Sequence, residues 1–205
     1  METVVLETSE LDTAAQLLRD GEVVAFPTDT VYGVACVFDN EEAIEKMKVA
    51  KGRPESKPFP FMASSKDLIK MVAEVNERDE KIIDHLMPGA LTIVLKKKPN
   101  VPDITTNGMS TIAIRMADDT LVNEIISKVG KPLLVTSANL SGEPSTSSYE
   151  EVYKSLQGRI SAVVRRDATG SKASTIIDLT QPDTVKVLRE GPISIETIEE
   201  TIKRG

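Results

Sequence analysis

The feature that most constrains this chain is its alternation between strand-like and helix-like segments from end to end. Apolar runs short enough for strands occur at residues 22–26, 59–63, 90–95, 111–115, 133–136, 162–165, 174–179 and 185–188. Between them lie stretches whose apolar residues recur at helical spacing, such as Ala43, Ile44, Met47 and Ala50. Helices are predicted over residues 11–20, 41–51, 66–73, 76–87, 120–129, 149–156 and 195–203. Several carry boundary signals: Ser9, Asn40 and Ser194 as N-caps, and Gly21 and Gly130 as terminators. Strands that alternate with helices favour parallel pairing. Strands that follow one another directly, as at 90–95 before 111–115 and again near the end, favour antiparallel pairing. The expected fold is therefore α/β, with one mixed parallel and antiparallel sheet surrounded by helices.

The chain has 205 residues, a length compatible with one domain and a sizeable core. With no Trp, four Phe and three Tyr, that core must be built from Val, Ile, Leu and Met. Net charge is −7, which disfavours broad, non-specific nucleic-acid binding. The N-terminus lacks the positive start and apolar run of a signal peptide, and no apolar stretch approaches the roughly 20 residues of a membrane span. The expectation is a cytoplasmic protein with no membrane partner.

Cys36 is the only cysteine and His85 the only histidine. No internal disulfide or Cys-rich zinc site can form, and a Ser-His or Cys-His triad would have to rest on His85 alone. Val34, Ala35, Val37 and Phe38 around Cys36 mark it as a small buried hydrophobe. His85, in a helical stretch ending at Met87-Pro88-Gly89, reads as structural or exposed. No clustered His, Cys or carboxylate motif points to a bound transition metal, and neither a GxxxxGK[ST] loop nor a GxGxxG turn is present.

Polar residues concentrate where strands end, the usual place for ligand sites in α/β sheets. PTDTVYGVA (Pro27 to Ala35) offers Thr28, Asp29 and Thr30 beside Gly33; its plainer reading is a turn. KGRPESKP sets Lys51, Arg53 and Lys57 close together, either to grip phosphates or as a solvated basic surface. Arg115 ends the alternating strand TIAIRM and needs a carboxylate or phosphate partner, which could equally be a structural Asp or Glu. TSANLSGEPS (Thr136 to Ser145) is a polar loop of neutral donors and acceptors. ASTIID and VLREGP place Ser174, Thr175 and Arg189 at strand ends, where Arg189 could also serve a surface ion pair.

Taken together, PTDTVYG, KGRP…KP, MPGALTIVLK, TIAIRM, TSANLSGEPS, STIID and LREGP resemble the YrdC-like family of threonylcarbamoyl-AMP synthases over residues 11–198. The resemblance is to the single-domain form, so residues 1–205 are expected to form one YrdC-like domain. It implies a strongly twisted sheet around a concave basic cavity. It also implies synthesis of threonylcarbamoyl-AMP and pyrophosphate from L-threonine, bicarbonate and ATP, with Mg²⁺ accompanying ATP. The product would pass to a tRNA threonylcarbamoyl-transferase complex that modifies ANN-decoding tRNAs. By motif, Thr30, Arg115 and Ser174 are expected to contact threonine. Arg53, Lys57, Thr111, Ser137, Asn139, Ser145 and Arg189 are expected to contact ATP, and Lys51 and Arg53 to act in catalysis. Many members carry a His near the end of the strand after KP, where this chain has Met62, so a polar contact to threonine there is expected to be lost or supplied by main chain.

The main alternative is an RNA-binding or ribosome-associated module using the same cavity, against which the acidic charge and scarce aromatics weigh. A carbamoyl-adenylate former in hydrogenase maturation and a sugar-phosphate lyase are further alternatives on this scaffold. The first lacks its usual zinc-finger segments here, and the second its acidic metal ligands.

Overall fold

A computed structural model describes residues 2–52 and 57–204. Strand β1 (Val4–Leu6) leads into helix α1 (Leu11–Arg19), strands β2 (Val24–Pro27) and β3 (Tyr32–Val37), and helix α2 (Glu41–Lys51). A two-residue strand, β4 (Phe61–Met62), precedes helices α3 (Lys66–Val72) and α4 (Glu77–Leu86). Then come β5 (Leu91–Lys96), the short α5 (Asp103–Thr106), β6 (Thr111–Arg115), α6 (Thr120–Val129) and β7 (Leu133–Ser137). Helix α7 (Tyr149–Leu156), strands β8 (Ala162–Val164), β9 (Thr175–Asp178) and β10 (Lys186–Arg189), and helix α8 (Ile195–Lys203) complete the order.

All strands join one sheet in the order β1-β8-β2-β3-β7-β4-β6-β5-β9-β10. Pairs β1–β8, β2–β8, β4–β6 and β5–β9 are parallel, and the remaining neighbours are antiparallel. The mixed sheet expected from the element pattern is therefore present. The expectation missed two strands, β1 and β3. Every residue of β3 is buried, so the run shows none of the in-out alternation that marks a half-buried strand. Its place between β2 and β7 covers both its edges.

The helices begin where local chemistry favours it. Asn40 Oδ1 accepts from the Ala43 N–H at 3.0 Å, and Asn76 and Asp79 form a reciprocal capping box at α4. Ser194 caps α8 as expected. Helix α1 departs from expectation. Its N-cap position is Glu10 with no side-chain cap, and Ser9 lies one residue too far upstream. Gly52 and Gly130 end α2 and α6 in the left-handed region, at φ 82° and 77°.

Leu18, Ile44, Met47, Ile125 and Ile126 point from the helices into the core, where Phe26, Tyr32 and Phe61 are its largest fully buried side chains. Each such aliphatic side chain contributes about 1.5–3 kcal/mol of burial. Cys36 is buried on β3, and desolvation pushes its thiol up to about 12. His85 is exposed on α4, its Nδ1 2.8 Å from the Lys81 carbonyl. Both residues take the structural roles their sequence context suggested.

Candidate active site

The site begins at the turn joining β2 to β3, residues 28–31. Thr28 Oγ1 donates to the Val31 carbonyl at 2.6 Å and accepts from the Thr30 N–H at 3.1 Å. One hydroxyl thus shapes the turn. The segment between β8 and β9 straps the turn from outside. The N–H groups of Thr169, Gly170 and Ser171 donate to the carbonyls of Thr28, Thr30 and Asp29, and the Thr169 and Ser171 hydroxyls also donate to Asp29 O.

Inside the turn, the Asp29 carboxylate meets Arg115 at the end of β6. Arg115 Nη1 donates to Oδ2 at 3.0 Å and Nη2 to Oδ1 at 2.9 Å, while the Asp118 N–H donates to Oδ2 at 3.1 Å. Both side chains are buried, Asp29 at 6% and Arg115 at 8% exposure. Such a two-pronged pair is strong and directional. Of the two partners considered for Arg115, the structural carboxylate is therefore present. Arg115 Nη2 also lies 3.4 Å from Thr30 Oγ1.

Thr28, Thr30, Val31 and Arg115 line one side of a cavity of about 440 Å³, with Asp29 next to them but not in its lining, a volume within the range of small-molecule sites. The cavity brings together Thr30, Arg115, Ser137, Ser145, Ser174 and Arg189 from the sequence-derived set. Pro60, Phe61, Met62, Ala113, Val135 and Ile176 supply an apolar floor. Among the described residues, the charged side chains in the lining are Arg115 and Arg189, the first of them paired with Asp29. Gly33 stands opposite Ser137 in the β3–β7 ladder. A Cβ at Gly33 would lie 2.7 Å from Val135 Cγ1, so glycine is what lets β7 present its cavity residues here. Met62 stands in the lining and presents a thioether to it.

Ser174 precedes β9. Its Oγ is 2.7 Å from Thr92 Oγ1 on β5, and its carbonyl accepts from Arg189 Nε at 3.0 Å and Nη2 at 2.8 Å. Arg189 Nη2 also reaches Ser174 Oγ at 3.3 Å, so these two predicted residues are joined directly.

Of the other predicted residues, Lys51, Lys57, Thr111 and Asn139 stand outside this lining. Lys51, at the C-terminal end of α2, is buried, and its Nζ donates to Thr136 Oγ1 at 3.1 Å and Ser137 O at 3.2 Å. It therefore buttresses two residues of the cavity wall. Asn139 Nδ2 donates to the carbonyls of Leu140 (3.1 Å) and Glu143 (2.8 Å), which shapes its own loop. Lys57 is exposed. Thr111 shares the β6 face with Ala113 and Arg115 but begins the strand, about 13 Å from Arg115 along it. Arg53 lies outside the described residues.

Sequence reasoning offered Asp29 beside Thr28 and Thr30 without assigning it a role, and did not single out Thr92, Ser171 or Tyr32. Thr92 reads as an ordinary β-branched strand residue, and only strand register sets it beside Ser174. Tyr32 donates to the Val164 carbonyl, and burial pushes its hydroxyl well above the ordinary tyrosine value, which keeps it a donor. Among the described residues no three His, Cys, Asp or Glu side chains gather as metal ligands, and no helix is long and apolar enough to cross a membrane.

Comparison with known proteins gives this geometry a context. The Sua5/YciO/YrdC family pattern, described as telomere recombination, matches residues 16–191. The threonylcarbamoyl-AMP synthase of Bacillus subtilis is 39% identical over 192 residues, which cover 92% of this chain and 55% of that protein. The synthase of Pyrococcus abyssi is 35% identical over 199 residues, covering 96% of this chain and 58% of its own length. The chain thus spans little more than half the length of these two relatives. The structure of P. abyssi Sua5 complexed with L-threonine superposes with a TM-score of 0.87 at 33% identity, covering 98% of this chain and 61% of that one. The chain belongs to the Sua5/YciO/YrdC family.

Proposed function

We propose that this protein is a threonylcarbamoyl-AMP synthase, converting L-threonine, bicarbonate and ATP into threonylcarbamoyl-AMP and pyrophosphate. The observation that carries the reading is the convergence of Thr30, Arg115, Ser137, Ser145, Ser174 and Arg189, drawn from separate motifs, on one cavity. It is supported by relatives named for this activity and by the threonine complex of the P. abyssi protein.

In this reading the threonine amine and bicarbonate give N-carboxy-threonine and water. A carboxylate oxygen then forms a bond to the α-phosphorus of ATP as the bond to the β-phosphate bridge breaks, and pyrophosphate leaves. Charge develops on phosphoryl oxygens, so the protein's contribution is positioning and electrostatic stabilisation. Thr30, Arg115 and Ser174 hold threonine. Ser137, Ser145 and Arg189 contact ATP, joined by Lys57, Thr111, Asn139 and Arg53, while Lys51 and Arg53 stabilise the developing charge.

Magnesium would accompany ATP. Asn139 Oδ1 is buried and accepts no hydrogen bond, and a free carbonyl oxygen suits a hard cation that keeps most of its ligands from phosphate and water. Asn139 is thus the residue here that would hold the ion, which when bound would neutralise phosphate charge. The downstream partner in this reading is a tRNA threonylcarbamoyl-transferase complex.

The test is pyrophosphate release by purified protein with ATP and Mg²⁺, with L-threonine and bicarbonate each present or omitted and L-serine as the control. Release that requires both threonine and bicarbonate is expected. A folded protein showing no threonine-dependent release overturns the reading and makes RNA binding the next measurement.

A further inference from the structure

The carboxylate of Asp29 is buried beside a cavity read as accepting the carboxylate of an amino acid, where a second negative charge is at first sight unfavourable. Its contacts explain its presence. Asp29 accepts one N–H from each terminal nitrogen of Arg115 and one from the Asp118 backbone. Its carbonyl in turn accepts from Thr169 and from both the backbone and hydroxyl of Ser171. The carboxylate is therefore held by the strap, and the guanidinium by the carboxylate.

A guanidinium carries five N–H groups in a planar fork. Asp29 occupies two of them, on the side away from Nε, and Thr30 Oγ1 accepts a third from Nη2 at 3.4 Å. The two remaining donors, Nε–H and the second Nη1 hydrogen, belong to a residue that lines the cavity. An arginine already locked in one orientation loses less freedom when it meets a ligand carboxylate than one that must be ordered on binding.

We infer that Asp29 is a positioning residue for carboxylate recognition, holding Arg115 so that its remaining donors present one orientation to the ligand; this rests on the reading of the cavity as a threonine site. Two roles for Asp29 have opposite signs. If it positions Arg115, replacing the carboxylate weakens threonine. If it merely neutralises Arg115, replacement unmasks a cation and strengthens threonine.

Isothermal titration of the full chain with L-threonine and with L-threoninamide, which lacks the carboxylate, separates these roles. The wild-type protein is expected to prefer threonine by about tenfold or more, the scale of a charge-assisted hydrogen bond. In Asp29→Asn, threonine affinity is expected to fall about 10–100-fold while threoninamide changes less than about threefold, so the preference collapses. A purely structural role would weaken both ligands alike. Should Asp29→Asn fail to fold, Asp29→Glu keeps the charge while its extra methylene displaces the guanidinium, and the same collapse is expected. An unchanged preference in the variant, a parallel loss of both ligands, or tighter threonine binding overturns the proposal alone. Wild-type protein that fails to prefer threonine over threoninamide overturns both the proposal and the threonine reading.

Discussion

At the scale of single residues, Lys51 shows how a side chain can belong to the site without lining its cavity. Its ammonium is buried and donates to Thr136 Oγ1 and Ser137 O, so it supports the wall that carries Ser137 while adding positive charge behind it. A buried, hydrogen-bonded cation acts in a less polar medium than one in water, where its field on a developing phosphoryl charge is stronger. Lys51→Ala is expected to lower threonine-dependent pyrophosphate turnover by about 10²–10³. Steady-state assay of the folded variant checks this, and retention of more than about a third of the wild-type rate would remove Lys51 from the mechanism.

At the scale of elements, the site depends on how closely β10 and its exit segment lie against β9. A Cβ built on Gly191 falls 2.4 Å from Thr175 N, 2.7 Å from Ser174 C and 2.9 Å from Ala173 O. All three are backbone atoms, so an alanine must move the chain that carries Ser174 and, through it, the anchor of Arg189. Overpacking of this kind costs about 1–3 kcal/mol. Gly191→Ala is expected to lower the urea midpoint accordingly and to raise the KM for threonine. A variant with wild-type midpoint and KM would show that the β9–β10 contact has no part in shaping the site.

At the scale of the whole molecule, the cavity residues come from the β2–β3 turn, β5, β6, β7, the loop after β7 and the ends of β9 and β10. These segments meet only in the folded sheet, so a ligand that binds them stabilises the fold as a unit. At a threonine concentration about 100 times its Kd, the gain is about 2.7 kcal/mol. For a chain of this size that corresponds to a rise in Tm of about 5–10 °C. Thermal unfolding with L-threonine, against L-alanine as control, reads this directly, and equal shifts for the two amino acids would argue against a threonine-specific cavity.

The amino-acid sequence alone was enough to establish the α/β class, because helical periodicity, caps such as Asn40 and Ser194, and terminators such as Gly130 are local properties of the chain. It also marked the segments that build the cavity, since polar residues placed at strand ends have few structural uses there. Strand β3 stayed hidden because complete burial erases the alternation that reveals a strand, and burial is decided by neighbours far away in the chain. Pairing was equally beyond reach. Nothing local says that the partner of Arg115 is Asp29, or that Thr92 meets Ser174, because those contacts arise from sheet register and from the strap at residues 169–171. The tertiary structure alone decided which polar side chains face one another, for hydrogen bonds in a buried wall depend on distances that sequence spacing does not encode.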